Sequence, residues 1–191
     1  MGHLVSVRSF ACFCVTIDPR SEVPPKRLIR SAYVRRAPHI YSTEQVRLLM
    51  RRARRLVPSC RDLLRPYTLE TLIGLLASTG LRIGEALRLR IPDFDPQAGT
   101  LPVSRFKFSP ERLRPLHPST VRALMRYQEE RQRLCPFGEH FFVGRFGCPV
   151  SMSTADKLFR KLAHAIHANG IRPNPRWHDF RHSFATHWIA T

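Results

Sequence analysis

The sequence predicts a mainly α-helical fold carrying a small three-stranded antiparallel sheet. Two observations lead there. Apolar residues recur at helical spacing in most stretches of the chain, whereas between Leu87 and Leu116 the period shortens to two and turn residues intervene. A hydrophobic fraction of 43% against 24% charged residues, over 191 residues, is enough to bury a globular core.

Taken in order, residues 4 to 15 place Leu4, Val7, Ala11 and Cys14 on one helical stripe, with Phe10 beside it. The stretch "DPRSEVPPKR" then breaks the pattern with three prolines and several charges, as a linker does. Ser42 and Gln45 have capping-box spacing ahead of a helix with Val46, Leu49, Met50, Ala53 and Leu56 inward. A second apolar helix spans about Thr68 to Ser78 and stops at Gly80, where glycine accepts a left-handed backbone cheaply. Leu87, Leu89 and Ile91 alternate as a strand would. Asp93 to Gly99 is turn chemistry, and "TLPVSRF" and "RLRPLH" form strands around a hairpin tip near Lys107 to Glu111. Ser119 caps a helix bearing Val121, Leu124, Met125 and Gln128, and "HFFVG" makes a short buried strand. From Thr154 a helix turns Ala155, Leu158, Phe159, Leu162 and Ile166 inward, ending near Gly170. Pro173 and Pro175 forbid helix until Trp177, after which residues 178 to 190 are helical.

The charge is one-sided. Thirty-two Lys and Arg against 14 Asp and Glu leave +18, mostly as arginine, whose planar fork matches phosphate oxygens in pairs. Such an excess points to a polyanion, above all nucleic acid. Arg47, Arg51, Arg54 and Arg55 cover one helix surface and, with Arg105, are candidate DNA contacts. The five cysteines form no CxxC pair and no even framework, so inert thiols in a reduced cytoplasmic protein are expected. The apolar run "FACFCVTI" is too short to span a bilayer, and no membrane partner is expected.

Three histidines and two arginines crowd "RWHDFRHSFATH", residues 176 to 187. His178 and His182, with Asp179 between them, approach the H-E-x-x-H zinc pattern. Asp179 is a methylene shorter than the glutamate that would activate water, Arg181 puts a fixed cation in the same turn, and no third-ligand motif follows. His164 and His167, three apart, fit ordinary core or surface positions. His178 and Arg181 at i and i+3 project over one patch, and an imidazole beside a guanidinium suits a phosphate. Arg82, just beyond Gly80 and followed by Glu85, is placed to aim into a cleft. Lys107 at a hairpin tip is a mobile ammonium able to enter a groove and give up a proton.

"TGLRIGEALRLRIPDFD", then "KFSPERLRPLHPST", then "HDFRHSFATH", in that order, resemble the catalytic domain of the tyrosine recombinases, the phage-integrase family. The resemblance covers residues 38 to 191. It implies residues 1–18 as the last helix of a helical core-binding (SAM-like) domain, 19–37 as linker and 38–191 as the catalytic domain. By the same resemblance Arg82 and Arg181 clamp the scissile phosphate, Lys107 protonates the departing 5′ oxygen and His178 assists proton transfer. No metal or other cofactor is implied; double-stranded DNA and further recombinase protomers are the implied partners, as for an enzyme of mobile elements acting at the nucleoid. The family's nucleophile is a tyrosine that forms a 3′-phosphotyrosine. Tyr33, Tyr41, Tyr67 and Tyr127 all precede the H-x-x-R helix, and none matches that position. A chain cut before its nucleophile is therefore expected to be unable to cleave; the alternative is a chain that only binds DNA, occupying recombination sites. His182 and His187 have no family role and are expected in helix packing or on the DNA side.

Overall fold

A computed structural model describes residues 2–25, 37–103, 112–164 and 175–189. The chain divides into two compact units, Met1–Ala37 and Pro38–Thr191.

In the first unit α1 runs Gly2–Ile17, with Val7, Phe10, Phe13 and Ile17 exposed. Asp18 follows, its carboxylate held below the usual range by hydrogen bonds from Arg20. Residues 26 to 36 of the expected linker lie outside the described residues.

The second unit is built around α3, Arg65–Thr79. Leu69, Leu72, Ile73, Leu75 and Leu76 are all buried, so most of this helix's surface is apolar and it sits among its neighbours, with Glu70 and Ser78 on the side that reaches solvent. Against it pack α2 (Thr43–Arg54), α5 (Pro118–Leu134) and α7 (Trp177–Ile189). The capping box at α2 forms as spaced: Ser42 Oγ accepts from Gln45 N–H, and the Gln45 side chain accepts from Ser42 N–H. At the other end of α3, Gly80 adopts φ +64 and its N–H reaches Leu76 O. The short α4 follows at once, Ile83–Leu87, with Arg82 as its N-cap residue.

The sheet is smaller than the sequence suggested. Among the described residues it has two strands, β1 (Thr100–Val103) and β2 (Arg112–Pro115), antiparallel with Leu101 opposite Arg114. The alternation of Leu87, Leu89 and Ile91 is not a strand: Leu87 closes α4, and Ile91–Asp93 is a 3₁₀ turn. "HFFVG" joins its surroundings by single bridges, Arg90 to His140 and Val143 to Pro149. Its Phe141, Phe142 and Val143 are nonetheless buried. The hairpin tip from Lys107 to Glu111 lies outside the described residues.

Two helix starts also differ by a residue or more. α5 begins at Pro118 with His117 as N-cap, because proline supplies the fixed φ of a first helical residue; Ser119 instead bonds the His117 ring. α6 spans Met152–Ala163 with Ser151 capping Thr154 N–H. Ile166, His167 and Gly170 lie outside the described residues, and His164 is exposed.

Arg131 of α5 is 1% exposed and lacks a carboxylate partner among its hydrogen bonds. Its guanidinium donates to the carbonyls of His140, Cys135, Phe137 and Gly138, folding the 135–140 segment around one cation. No helix among the described residues is long and apolar enough to cross a membrane.

Candidate phosphate-binding site

α7 is oriented by its buried side. Trp177 stacks on Phe159 of α6 at 4.2 Å, and Phe180 stacks on Tyr41 at 4.3 Å with planes 12° apart. Ser183 Oγ accepts from Tyr41 N–H at 2.8 Å and donates to Asp179 O, tying the helix to the segment before α2. Asp179, buried, accepts from Arg176 N–H through Oδ2 at 2.7 Å. Its carboxylate is thus a cap on the first turn of the helix. Among the described residues no group of three or more His, Cys, Asp and Glu could hold a metal ion.

Trp177, Phe180 and Ser183 are buried, whereas His178 is exposed and Arg181 half-buried. Arg181 Nη1 donates to Gly80 O at 2.8 Å, across 101 positions of sequence. Phe184, one turn on, lies directly over Gly80: a Cβ there would stand 2.5 Å from Phe184 Cδ1. The left-handed glycine therefore does more than end α3. It lets α7 approach, and its carbonyl fixes Arg181 two residues from Arg82.

Arg82 is held by Glu85. Glu85 Oε2 accepts from Arg82 N–H at 2.8 Å and Oε1 pairs with Arg82 Nη1 at 3.0 Å. The Glu85 side chain is 8% exposed and that of Arg82 47%, so a buried carboxylate orients a guanidinium that still reaches solvent. The i,i+3 spacing is visible in the sequence, whereas the orienting role of Glu85 shows only in the fold. His178 feels both arginines. Its proton affinity lies below the ordinary histidine range through partial desolvation first, then repulsion by His182 and Arg181; Asp179 opposes this, and Arg82 adds to it. The structure thus brings Arg82, His178 and Arg181 together. Lys107 and Arg105 lie outside the described residues.

The arginines of α2 are placed differently. Arg47, Arg51, Arg54 and Arg55 are exposed. Arg54 stacks over Tyr67 at 3.9 Å and pairs with Glu70 at 3.3 Å. Arg47 and Arg54 line a groove of about 850 Å³ between α2, α3, α5 and α7, which Phe184 and His187 also reach. Three of the tyrosines pack into their surroundings. Tyr41 is fully buried and burial raises its pKa far above the ordinary phenol range. Tyr127, also buried, is pushed up to about 12; its hydroxyl pairs with Thr68 and accepts from Val143 N–H. Tyr67 lies beneath Arg54, and Tyr33 is outside the described residues.

Residues 42–191 match the family model described as "Phage integrase family". The chain belongs to that family. The integrase/recombinase y4rB of Sinorhizobium fredii (strain NBRC 101917 / NGR234) is 34% identical over 192 residues, covering 96% of this chain and 60% of the relative. Tyrosine recombinase XerC of Chlamydia caviae is 27% identical over 191 residues, covering 98% of this chain and 57% of the relative. Among solved structures, the Tn1549 transposon integrase in complex with circular intermediate DNA superposes with a TM-score of 0.72 at 17% identity, over 99% of this chain and 65% of that one. The chain spans 60% and 57% of the length of the two curated relatives. The integrase fold accommodates the site just described: a buried helix ending in Gly80, a short helix after Arg82, and α7 laid across both.

Proposed function

We propose that this chain is the phosphate-gripping part of a site-specific DNA recombinase that acts on double-stranded DNA. One observation carries the reading: Arg181 is fixed through the Gly80 carbonyl beside the turn that presents Arg82, with His178 in the field of both. Two oriented guanidiniums can take the non-bridging oxygens of a phosphodiester and stabilise charge that builds there when phosphorus is attacked. His178 is in place to move a proton. Lys107, by its family position, would protonate the departing 5′ oxygen. Arg47, Arg51, Arg54, Arg55 and Arg105 would neutralise flanking phosphates, consistent with the net charge of +18.

Support comes also from the names of the relatives and from the solved integrase that holds DNA. Residues 38–191 are read as catalytic domain, 19–37 as linker and 1–18 as the last helix of a core-binding domain. Other protomers assembled on the same DNA are the protein partners, and the nucleoid is the place of action.

A second reading, that residues 1–191 by themselves bind duplex without cleaving it, is supported by two of their tyrosines. Tyr41 and Tyr127 are core residues whose hydroxyls resist ionisation, which suits packing and not attack. The test uses these 191 residues and a nicked suicide duplex. Retention of the duplex without covalent attachment, and covalent attachment once a chain bearing a downstream tyrosine is added, is the expected pattern. No retention of duplex at all would sink the reading; an adduct from the unaided chain would sink the second one.

A further inference from the structure

His182 stands one turn after His178 on α7, with ring centroids 4.8 Å apart and planes at 84°, edge against face. Neither the core nor the clamp explains it. The core side of α7 is filled by Trp177, Phe180 and Ser183, and the contacts with Gly80 belong to Arg181 and Phe184. Its neighbour His178 is bordered on α7 by Arg181, Asp179 and His182, and from the turn before α4 by Arg82. Asp179, the acidic group there, gives one carboxylate oxygen to the Arg176 N–H. A proton on His178 therefore meets two guanidiniums and a second imidazole, at the positive end of the helix dipole. That arrangement disfavours a cation in the empty site. A phosphodiester between Arg82, Arg181 and His178 brings the missing negative charge.

We propose that His182 is a positioning residue of this clamp: standing edge-on to His178, it makes proton uptake by His178 accompany the binding of a phosphodiester. The inference rests on the clamp reading above. The proton comes from solvent, enters at the His178 imidazole and leaves when the phosphate does; no bond is made or broken. The site is then loaded with a proton only when a phosphate is present to receive it.

The sign follows. His178 in the empty site binds its proton below the ordinary range, and the bound anion raises that affinity. Between the two midpoints DNA binding takes up a proton, so affinity rises as pH falls, by up to about tenfold per pH unit for one linked proton. Below the lower midpoint the dependence flattens. His182→Gln removes the titratable neighbour, so the free-state midpoint of His178 moves up and the window narrows. His182→Arg puts a fixed cation there, so the His178 midpoint does not rise and the window stays wide.

The experiment has two parts, both on the full chain. NMR of the His178 ring proton in free wild type, His182→Gln and His182→Arg gives the empty-site midpoints. Fluorescence anisotropy with a labelled duplex between about pH 6 and about pH 8 gives the linked proton. Expected are an upward midpoint shift in the Gln variant with a shallower pH slope, and in the Arg variant a midpoint no higher than that of wild type with no loss of slope. Equal midpoints in wild type and the Gln variant overturn the proposal, as does an unchanged pH slope. A merely structural His182 would lower stability in both variants and leave the pH slope where it was. Failure of the clamp reads out separately: Arg82→Ala and Arg181→Ala would then bind duplex as tightly as wild type.

Discussion

Replacing Gly80 by alanine should damage both the fold and the site. Two penalties add at this position. The backbone stands at φ +64, where an L-residue with a Cβ loses about 1–2 kcal/mol. The new methyl would stand 2.5 Å from Phe184 Cδ1 and 2.9 Å from Cγ. Cγ is anchored next to the α7 backbone, so flipping the ring cannot relieve the contact. Overpacking of this kind costs about 1–3 kcal/mol. The sum, about 2–5 kcal/mol, is a large share of the roughly 5–15 kcal/mol that holds a domain together. Urea denaturation of wild type, Gly80→Ala, Phe184→Ala and the double variant measures it. Because the clash needs both side chains, the double variant should be more stable than additivity predicts by about 1–3 kcal/mol. Gly80→Asn separates the two penalties, since asparagine tolerates the left-handed region but still carries a Cβ. DNA affinity should fall as well, even where Gly80→Ala remains folded, because the Gly80 carbonyl positions Arg181. A Gly80→Ala variant within about 0.5 kcal/mol of wild type, or a strictly additive cycle, would refute the argument.

Arg131→Met should cost about 3–5 kcal/mol in urea denaturation, because four carbonyls lose a charged donor at once; Arg131→Lys should recover little, as one ammonium cannot reproduce the fork. The depressed proton affinity of His178 works against folding in acid: the unfolded chain binds that proton more readily, so stability is intact above the ordinary histidine pKa and falls as pH drops through the folded value. His178→Gln should flatten that acid limb in thermal melts recorded across pH, and an unchanged limb would contradict the assignment. DNA affinity should fall steeply with salt, about −0.9 in log–log slope per phosphate neutralised, and be indifferent to a chelator; Arg82→Ala and Arg181→Ala should each flatten the slope by about one unit in anisotropy titrations.

The features legible in the sequence are those whose physics is local. Ser42 with Gln45, and Gly80 after an apolar helix, fix their own backbones within a few residues, so spacing alone reveals them. His178 with Arg181 shares a helix face by the same arithmetic. The strand expected from Leu87 to Ile91 failed for a local reason too. A five-residue helix followed by a 3₁₀ turn is too short to display its own period, and only the chain around Arg90 between them is extended, bridging His140. The start of α5 differs from expectation because Ser119 is a good cap in isolation, while Pro118 at the first helical position moves the cap back to His117.

The remaining features depend on partners far along the chain. Nothing near Arg131 distinguishes it from the other arginines of a strongly basic protein; only the return of residues 135 to 140 buries it. Nothing near Gly80 says that a carbonyl 101 positions from Arg181 will receive it. The site follows from this division. α7 is amphipathic in function: one side, Trp177, Phe180 and Ser183, is committed to α6 and Tyr41, and that commitment sets the rotation of the helix. Once the rotation is set, His178 and Arg181 have only one direction left, toward the turn that carries Arg82. The core contacts of α7 therefore aim the cations, and a substitution such as Tyr41→Ala should misalign the clamp without touching it.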